Sequence, residues 1–322
     1  MTASSPAASP DSTASQDSAA GAVHVGTIVV GVDGSEPGDA ALAWAAEQAS
    51  LEGRRLTLVH GIGYSGLAWG GGYGYDQSTL IEALSSDGRD ILTRCQATVE
   101  RDHPGLEVEV ELARVDPRTA LLHHAETATM LVVGSRGRGP VASLVLGSVS
   151  AAVSRHAACP VVVIRPRDTE RLRLGVLVGV DGDGTSSAAL EFAYRQASTR
   201  GLPLTVMHCF VDPGHDQRSQ SVIPYDTPGL EDQRLVLDES VAGLGEKFPD
   251  VTVSLVLSRG LPDTCLVTAA ADMDLVVVGA DTGRGLLGLV LDPRVDRYVV
   301  EHAATVVAVV PEPASQAPGH PC

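Results

Sequence analysis

Four glycines and a serine, arranged as G-x2-G-x9-G-S through Gly134, Gly137, Gly147 and Ser148 with Gly139 inside the second interval, are the residues of this chain best placed to do chemistry. Residues without a Cβ can take positive φ and admit a ligand close to the main chain, so such a loop turns its N–H groups toward an anion. Ser135, Arg136 and Arg138 fill the loop, and the two arginines add positive charge. Ser148 reads as the N-cap of the next helix, with Val149 after it; the unpaired N–H groups and positive dipole end there favour a phosphate. A glycine-rich connection without a ligand is the alternative reading of the same residues. The loop lacks the Lys of G-x-x-x-x-G-K-[ST] and follows a late strand, so neither the common phosphate loop nor the dinucleotide fingerprint fits. No carboxylate near Gly134 to Ser148 is an evident base, and there is no G-x-S-x-G elbow, which favours binding over efficient turnover.

The elements around the loop must carry it. Met130 to Val133 is a short apolar run of the kind that makes a buried parallel strand. An earlier strand, TIVVGVDGS from Thr27, ends at Gly31 and puts Asp33 at its carboxyl end, where open parallel sheets hold ligands; turn-making is the alternative role of that aspartate. Leu42, Ala45, Ala46 and Ala49 give the following helix a buried stripe, and Gly53 ends it. Further strands are expected at Leu56 to His60, Glu107 to Ala113 and Val161 to Ile164, with helices from about Ser78 to Arg101 and from Pro117 through His123 and His124. GIGYSGLAWGGGYGYDQ fits neither period and reads as a flap or a surface loop.

The pattern then repeats. Gly179, Asp181 and Gly182 each stand 148 places after Gly31, Asp33 and Gly34, and LTVMH at Leu204 follows LTLVH at Leu56 by the same interval. LVVVG at Leu275 echoes MLVVG at Met130, and EHAATVVAVV at Glu301 echoes RHAACPVVVI at Arg155. Two tandem copies of one α/β unit explain the length, with near-continuous Val and Ile strands making parallel sheets covered on both faces.

Composition narrows the function classes. A formal net charge of −17 argues against nonspecific binding of nucleic acid or anionic membranes. Five scattered cysteines without a C-x-x-C pair suggest neither a disulfide framework nor a zinc site, and a reducing cytoplasm is the simpler compartment. None of the ten histidines forms H-E-x-x-H. His60 and His208, equivalent in the two copies, are read as packing or backbone contacts, and His123-His124 has no partner that the sequence names. The first residues lack the basic and apolar regions of a secretory signal, and no run is long enough to span a bilayer.

G-x2-G-x9-G-S after a fourth strand, VVGSRGRG, and GSVSAAVSRHAACPVVVIR from Gly147 to Arg165 resemble the ATP-binding class of the universal stress protein family. The resemblance covers both copies. It implies two tandem Rossmann-like domains of the adenine-nucleotide alpha hydrolase type, each a five-stranded parallel sheet with helices on both faces. The expected limits are a disordered arm over 1–24, domains over 25–165 and 173–311, and a disordered tail over 312–322. The implied ligand is ATP, with Mg²⁺ admissible beside it, and the implied role is a nucleotide-responsive regulatory or protective module. A slow ATPase or nucleotide-dependent transferase, and an interaction protein with vestigial sites, are the alternatives. By resemblance, Gly31 and Asp33 border the adenine and ribose, and Val59 to Gly61 meet the base through backbone groups. Gly134, Ser135, Arg136, Gly137, Arg138, Gly139, Gly147, Ser148 and Val149 then cradle the phosphates. The family pairs such units through their last strands, which implies a pseudo-dimer within this chain and leaves a homodimer open.

The second copy keeps Gly179, Asp181 and Gly279, but its loop runs GADTGRGLLGLVLDPRVD. Asp281 and Thr282 stand where Arg136 and Gly137 do, and Asp292-Pro293 falls over Gly147-Ser148. One tight site per chain is therefore expected, in the first copy, with a shifted register through Gly283, Arg284 and Gly285 as the weaker second candidate.

Overall fold

The computed structural model describes residues 26–63, 77–137, 146–165, 174–182, 186–212, 214, 220–280 and 295–312. The first unit runs β1 (Ile28–Gly31), α1 (Glu36–Glu52), β2 (Leu56–Gly61), α2 (Gln77–Asp102), β3 (Val108–Ala113), α3 (Pro117–Ala125), β4 (Met130–Gly134), α4 (Ser148–His156) and β5 (Val161–Ile164). The second runs β6 (Val176–Val180), α5 (Ser187–Arg200), β7 (Leu204–Phe210), β8 (Ser221–Ile223), α6 (Glu231–Val241), α7 (Leu244–Lys247), β9 (Val253–Arg259), α8 (Pro262–Ala270), β10 (Leu275–Gly279), α9 (Val295–His302) and β11 (Val306–Val310).

Local chemistry sets these limits. Ser35 caps α1 by accepting from the Gly38 N–H at 3.2 Å, and Gly53, at φ 62°, closes it in the left-handed conformation that glycine adopts without a Cβ penalty. Asp116 caps α3 by accepting from the Arg118 N–H, with Pro117 in the first turn, where its missing N–H costs nothing. The Val and Ile strands are buried on both faces, and successive residues feed opposite cores: Ile28 and Val30 join one cluster, Val29 the other.

Among the described residues all strands form one sheet in the order β3-β2-β1-β4-β5-β11-β10-β6-β7-β9-β8. Each unit has the five expected parallel strands. The second carries one more than expected: β8 pairs antiparallel with β9 at the outer edge, Val222 opposite Ser258. In the first unit β2 lies on one side of β1 and β4 on the other, so the chain reverses direction between β1 and β4. Ligand clefts of open α/β sheets form at such switch points, beyond the carboxyl ends of the strands.

The units join through β5 and β11, which pair antiparallel with Val162 opposite Ala308 and Val161 opposite Val309. Val162 and Ala308 are equivalent in the repeat, 146 places apart like Arg155 and Glu301, so a local twofold axis passes between them. Helices α1 and α5 pack near the same axis, where the Arg200 guanidinium lies 4.6 Å over the Trp44 ring and donates to Gln48 Oε1 at 2.6 Å. Separating the units near residue 170 uncovers both apolar strands, so each half should self-associate in sedimentation. Strictly monomeric halves at high concentration would count against that reading of the edge.

Candidate functional site

A cleft of about 580 Å³ opens at the switch point, within the 300 to 1,000 Å³ range of small-molecule sites. Gly31 and Asp33 enter it from the end of β1, and Val59, His60 and Gly61 from the end of β2. Pro117 and Leu121 of α3 form one wall, while Gly134, Arg136 and Gly137 after β4 and Gly147, Ser148 and Val149 at the start of α4 form the other. Ten of the expected residues are thus brought together. Ser135 is not among the lining residues: it is buried, its N–H donating to the Ile164 carbonyl at 2.8 Å and its carbonyl accepting from the Gly147 N–H at 2.7 Å. It closes the loop rather than facing a ligand. Arg138 and Gly139 lie outside the described residues, as does most of the glycine and aromatic stretch after Gly63.

Two local details correct the sequence reading. The N-cap of α4 is Gly147, not Ser148, and among the described residues no side chain caps the helix. Ser148 is its first residue and is exposed, so the first N–H groups of α4 face the cleft without an internal acceptor competing for them. Nor do Gly134, Gly137 and Gly147 rely on positive φ. Gly147 has φ −72°, and a Cβ on Gly134 would fall 2.6 Å from the Pro37 carbonyl oxygen, on Gly137 2.5 Å from Asp33 Oδ2. Close approach of backbone to backbone, and of backbone to carboxylate, is what requires glycine here.

Asp33 makes the expected turn and also lines the cleft. Its Oδ1 accepts from the Ser35 N–H at 3.0 Å and from the Ser35 hydroxyl at 2.6 Å, forming the turn, while Oδ2 leans on Gly137. A carboxylate therefore does reach the loop, from a strand about a hundred residues away in sequence. Across the paired ends of β4 and β5, Arg136 and Arg165 stand close together, and the Arg165 guanidinium donates to the Val300 carbonyl of α9. Burial first, then the neighbouring Arg136, pulls Arg165 below the ordinary arginine range. An anion at the loop would relieve that repulsion.

Several lining residues escaped the sequence reading, among them Val32, Pro117 and Val133 at the ends of elements already expected. Pro37 and Gly38, also in the wall, belong to the start of α1 and carry no periodic signal. Ser150 is buried, its hydroxyl donating to the Gly134 carbonyl at 2.6 Å and so fixing α4 to the loop; the S-x-S of GSVS was its one trace. Leu121 was hidden in an ordinary helix stripe. His60 makes the expected backbone contact, Nδ1 to the Val32 carbonyl at 2.7 Å, and lines the cleft as well; His208 repeats the contact with Val180 at 3.1 Å.

The wall helix α3 is pinned by a pair that the sequence did not reveal. His124, almost fully buried, has Nε2 3.0 Å from Glu111 Oε2 on β3, while His123 lies 4.0 Å from Glu126. The His124 hydrogen bond, working against partial burial, holds the Glu111 carboxyl below its ordinary range. A lowered folded value means that the contribution is complete above the unfolded value and is lost as pH falls through the folded one. Glu111→Gln should therefore cost about 1 kcal/mol at neutral pH, with the difference from wild type vanishing in acid; denaturant midpoints across that range check it.

Comparison with known proteins decides the family. The universal stress protein family profile matches residues 24–165 and again 175–311. A universal stress protein of Mycolicibacterium smegmatis is 35% identical over 293 residues, covering 88% of this chain and 96% of its own. The chain belongs to the universal stress protein family. A universal stress protein of Mycobacterium tuberculosis, Rv2005c, is likewise 35% identical over 296 residues, with 88% and 96% covered. A universal stress protein structure from Archaeoglobus fulgidus shares the fold at 18% identity with a TM-score of 0.66, covering 90% of this chain and 97% of that one.

The second universal stress protein unit copies the first only in part. A Cβ on Gly179 would fall 2.9 Å from Leu266 Cδ1, as one on Gly31 would fall 3.1 Å from Leu121 Cδ1. Asp181 Oδ1 accepts from the Ser186 hydroxyl at 2.7 Å, five residues on, where Asp33 bonds Ser35 two residues on. Gly182 has φ 84°, as its equivalent Gly34 has 72°, but it is overhung by Val236 of α6, whose Cγ1 would be 2.6 Å from a Cβ there. Gly279 ends β10 opposite Val310. Gly283, Arg284, Gly285, Asp292 and Pro293 lie outside the described residues.

Proposed function

We propose that this universal stress protein binds ATP in the cleft of its first unit and acts as a nucleotide-responsive regulatory module in a reducing cytoplasm. The observation that carries the reading is the convergence of two donor sets on one cleft: the Gly134–Gly137 backbone, and the start of α4 that no side chain caps. The apolar end between Val59, Leu121 and Val133 suits a base, the Asp33 carboxylate accepts from ribose hydroxyls, and the phosphates lie on the two donor sets beside Arg136. Mg²⁺, when it accompanies ATP, is carried by the phosphates.

Binding rather than turnover is the favoured role, because the carboxylate that reaches the loop is engaged by both donors of Ser35. Its Oδ2 against Gly137 is the observation favouring a slow ATPase as the second reading, and turnover assays with and without Mg²⁺ separate the two. The binding itself is tested by denaturing the purified protein and chromatographing what it releases. Adenine nucleotide should appear, or be taken up on incubation with ATP; a protein that neither carries nor acquires it lacks the function.

A further inference from the structure

The second unit carries a chemistry that the first does not. Cys209, at the end of β7, stands 148 places after Gly61, the cleft-lining glycine that ends β2. Cys265, in α8, precedes Leu266, whose contact with Gly179 matches that of Leu121 with Gly31, so Cys265 takes the place of Ala120. A glycine at the strand end and an alanine in the following helix of the first unit thus both correspond to cysteine in the second. Both are free thiols, one partly and one fully buried, and they pack in the same core cluster between β7 and α8.

The surroundings divide the labour between them. The Cys265 thiol donates to the Arg259 carbonyl at 3.6 Å, next to Ser258, the cross-strand partner of Cys209. Gly260, at φ +134°, makes the room: a Cβ there would fall 2.9 Å from Cys265 Sγ. The neighbouring Cys209 thiol, helped by Ser258 and opposed by burial and by Asp263, lowers the Cys265 thiol below its ordinary range. The same neighbour, then burial, pushes Cys209 upward. A thiol whose ionisation is favoured, beside a partner held protonated, is the arrangement of an attacking and a resolving cysteine.

We propose that Cys209 and Cys265 form a peroxide-responsive disulfide in the second unit, with Cys265 attacking and Cys209 resolving. The Cys265 thiolate attacks one oxygen of hydrogen peroxide; an S–O bond forms, the O–O bond breaks, and the departing hydroxide leaves as water after taking a proton from solvent. Cys265 is then a sulfenic acid, oxidised by two electrons as the peroxide is reduced. The Cys209 sulfur attacks it, the S–S bond forms as the S–O bond breaks, and the departing hydroxide takes the Cys209 proton as a second water. Two thiols and one peroxide give one disulfide and two waters. The crosslink fastens the end of β7 to α8, in the region corresponding to the first unit's cleft, and does not depend on nucleotide binding.

The test treats the full-length protein with hydrogen peroxide, then alkylates it under denaturing conditions without reductant and maps the peptides by mass spectrometry. A peptide pair joined through Cys209 and Cys265, lighter by two hydrogens and released by dithiothreitol, is the expected result. Cys209→Ser should trap a dimedone-reactive sulfenic acid at Cys265, and Cys265→Ser should leave Cys209 unlabelled. Full alkylation of both cysteines in the peroxide-treated wild type would overturn the proposal without reference to any variant. Dimedone labelling of Cys209 in folded Cys265→Ser, as fast as that of Cys265 in the other variant, would overturn the assigned roles.

Discussion

Gly137→Val should lower ATP affinity about a hundredfold while the protein stays folded. The new Cβ would sit 2.5 Å from Asp33 Oδ2, so the carboxylate must swing out of the cleft and the loop N–H can no longer approach a phosphate. One charge-assisted hydrogen bond is worth roughly 1.5 to 3 kcal/mol, and losing one while displacing Asp33 accounts for a change of about that size. The fold survives because the atom struck is the end of the half-buried Asp33 side chain, and Gly137 itself is exposed. Gly134→Val is the contrast. There the Cβ would meet the Pro37 carbonyl oxygen at 2.6 Å, main chain against main chain, and the packing of β4 on α1 must give way. Circular dichroism with competitive nucleotide binding separates the two: Gly137→Val folded and binding-deficient, Gly134→Val destabilised as well. Undiminished affinity in folded Gly137→Val would remove this loop from the site.

Ala308→Asp should be the most destabilising single change at the junction of the units. Ala308 is fully buried opposite Val162 on the local twofold axis, in a core cluster shared by both units. No basic side chain stands among its strand partners, and an unpaired buried charge costs about 3 to 5 kcal/mol out of a total stability of about 5 to 15 kcal/mol. The thermal midpoint should fall by roughly 6 to 20 °C. The same charge in Val222→Asp, on the edge strand β8 where the side chain is 69% exposed, should change stability by less than about 0.5 kcal/mol. Equal midpoints for Ala308→Asp and wild type would mean that the units are not held through β5 and β11.

What the sequence disclosed follows from where the physical constraint is local. The Val and Ile strands were legible because both faces are buried, so alternation gives way to continuous apolar runs, and the repeat made each strand visible twice. Strand β8 was not legible: it has three residues, its middle side chain points to solvent, and only pairing with β9 makes it a strand. The cleft was legible wherever a glycine or a carboxylate marked a strand end, as at Gly31, Asp33 and Gly134. It was hidden where a residue serves through a distant partner, as Ser150 does through the Gly134 carbonyl and His124 through Glu111. The cap of α4 was misplaced by one residue because glycine and serine both serve as N-caps, and the sequence does not say which of the adjacent pair does so.

Titration of ATP into the intact protein by calorimetry, in Mg²⁺ buffer, tests the central claim most directly. The account predicts saturable binding with a stoichiometry near one per chain, lost in Gly137→Val. The second unit should add no equal site, since Cys209 replaces Gly61 there and Asp281 replaces Arg136. A stoichiometry near two would contradict the asymmetry between the units, and the absence of saturable binding would contradict the account itself.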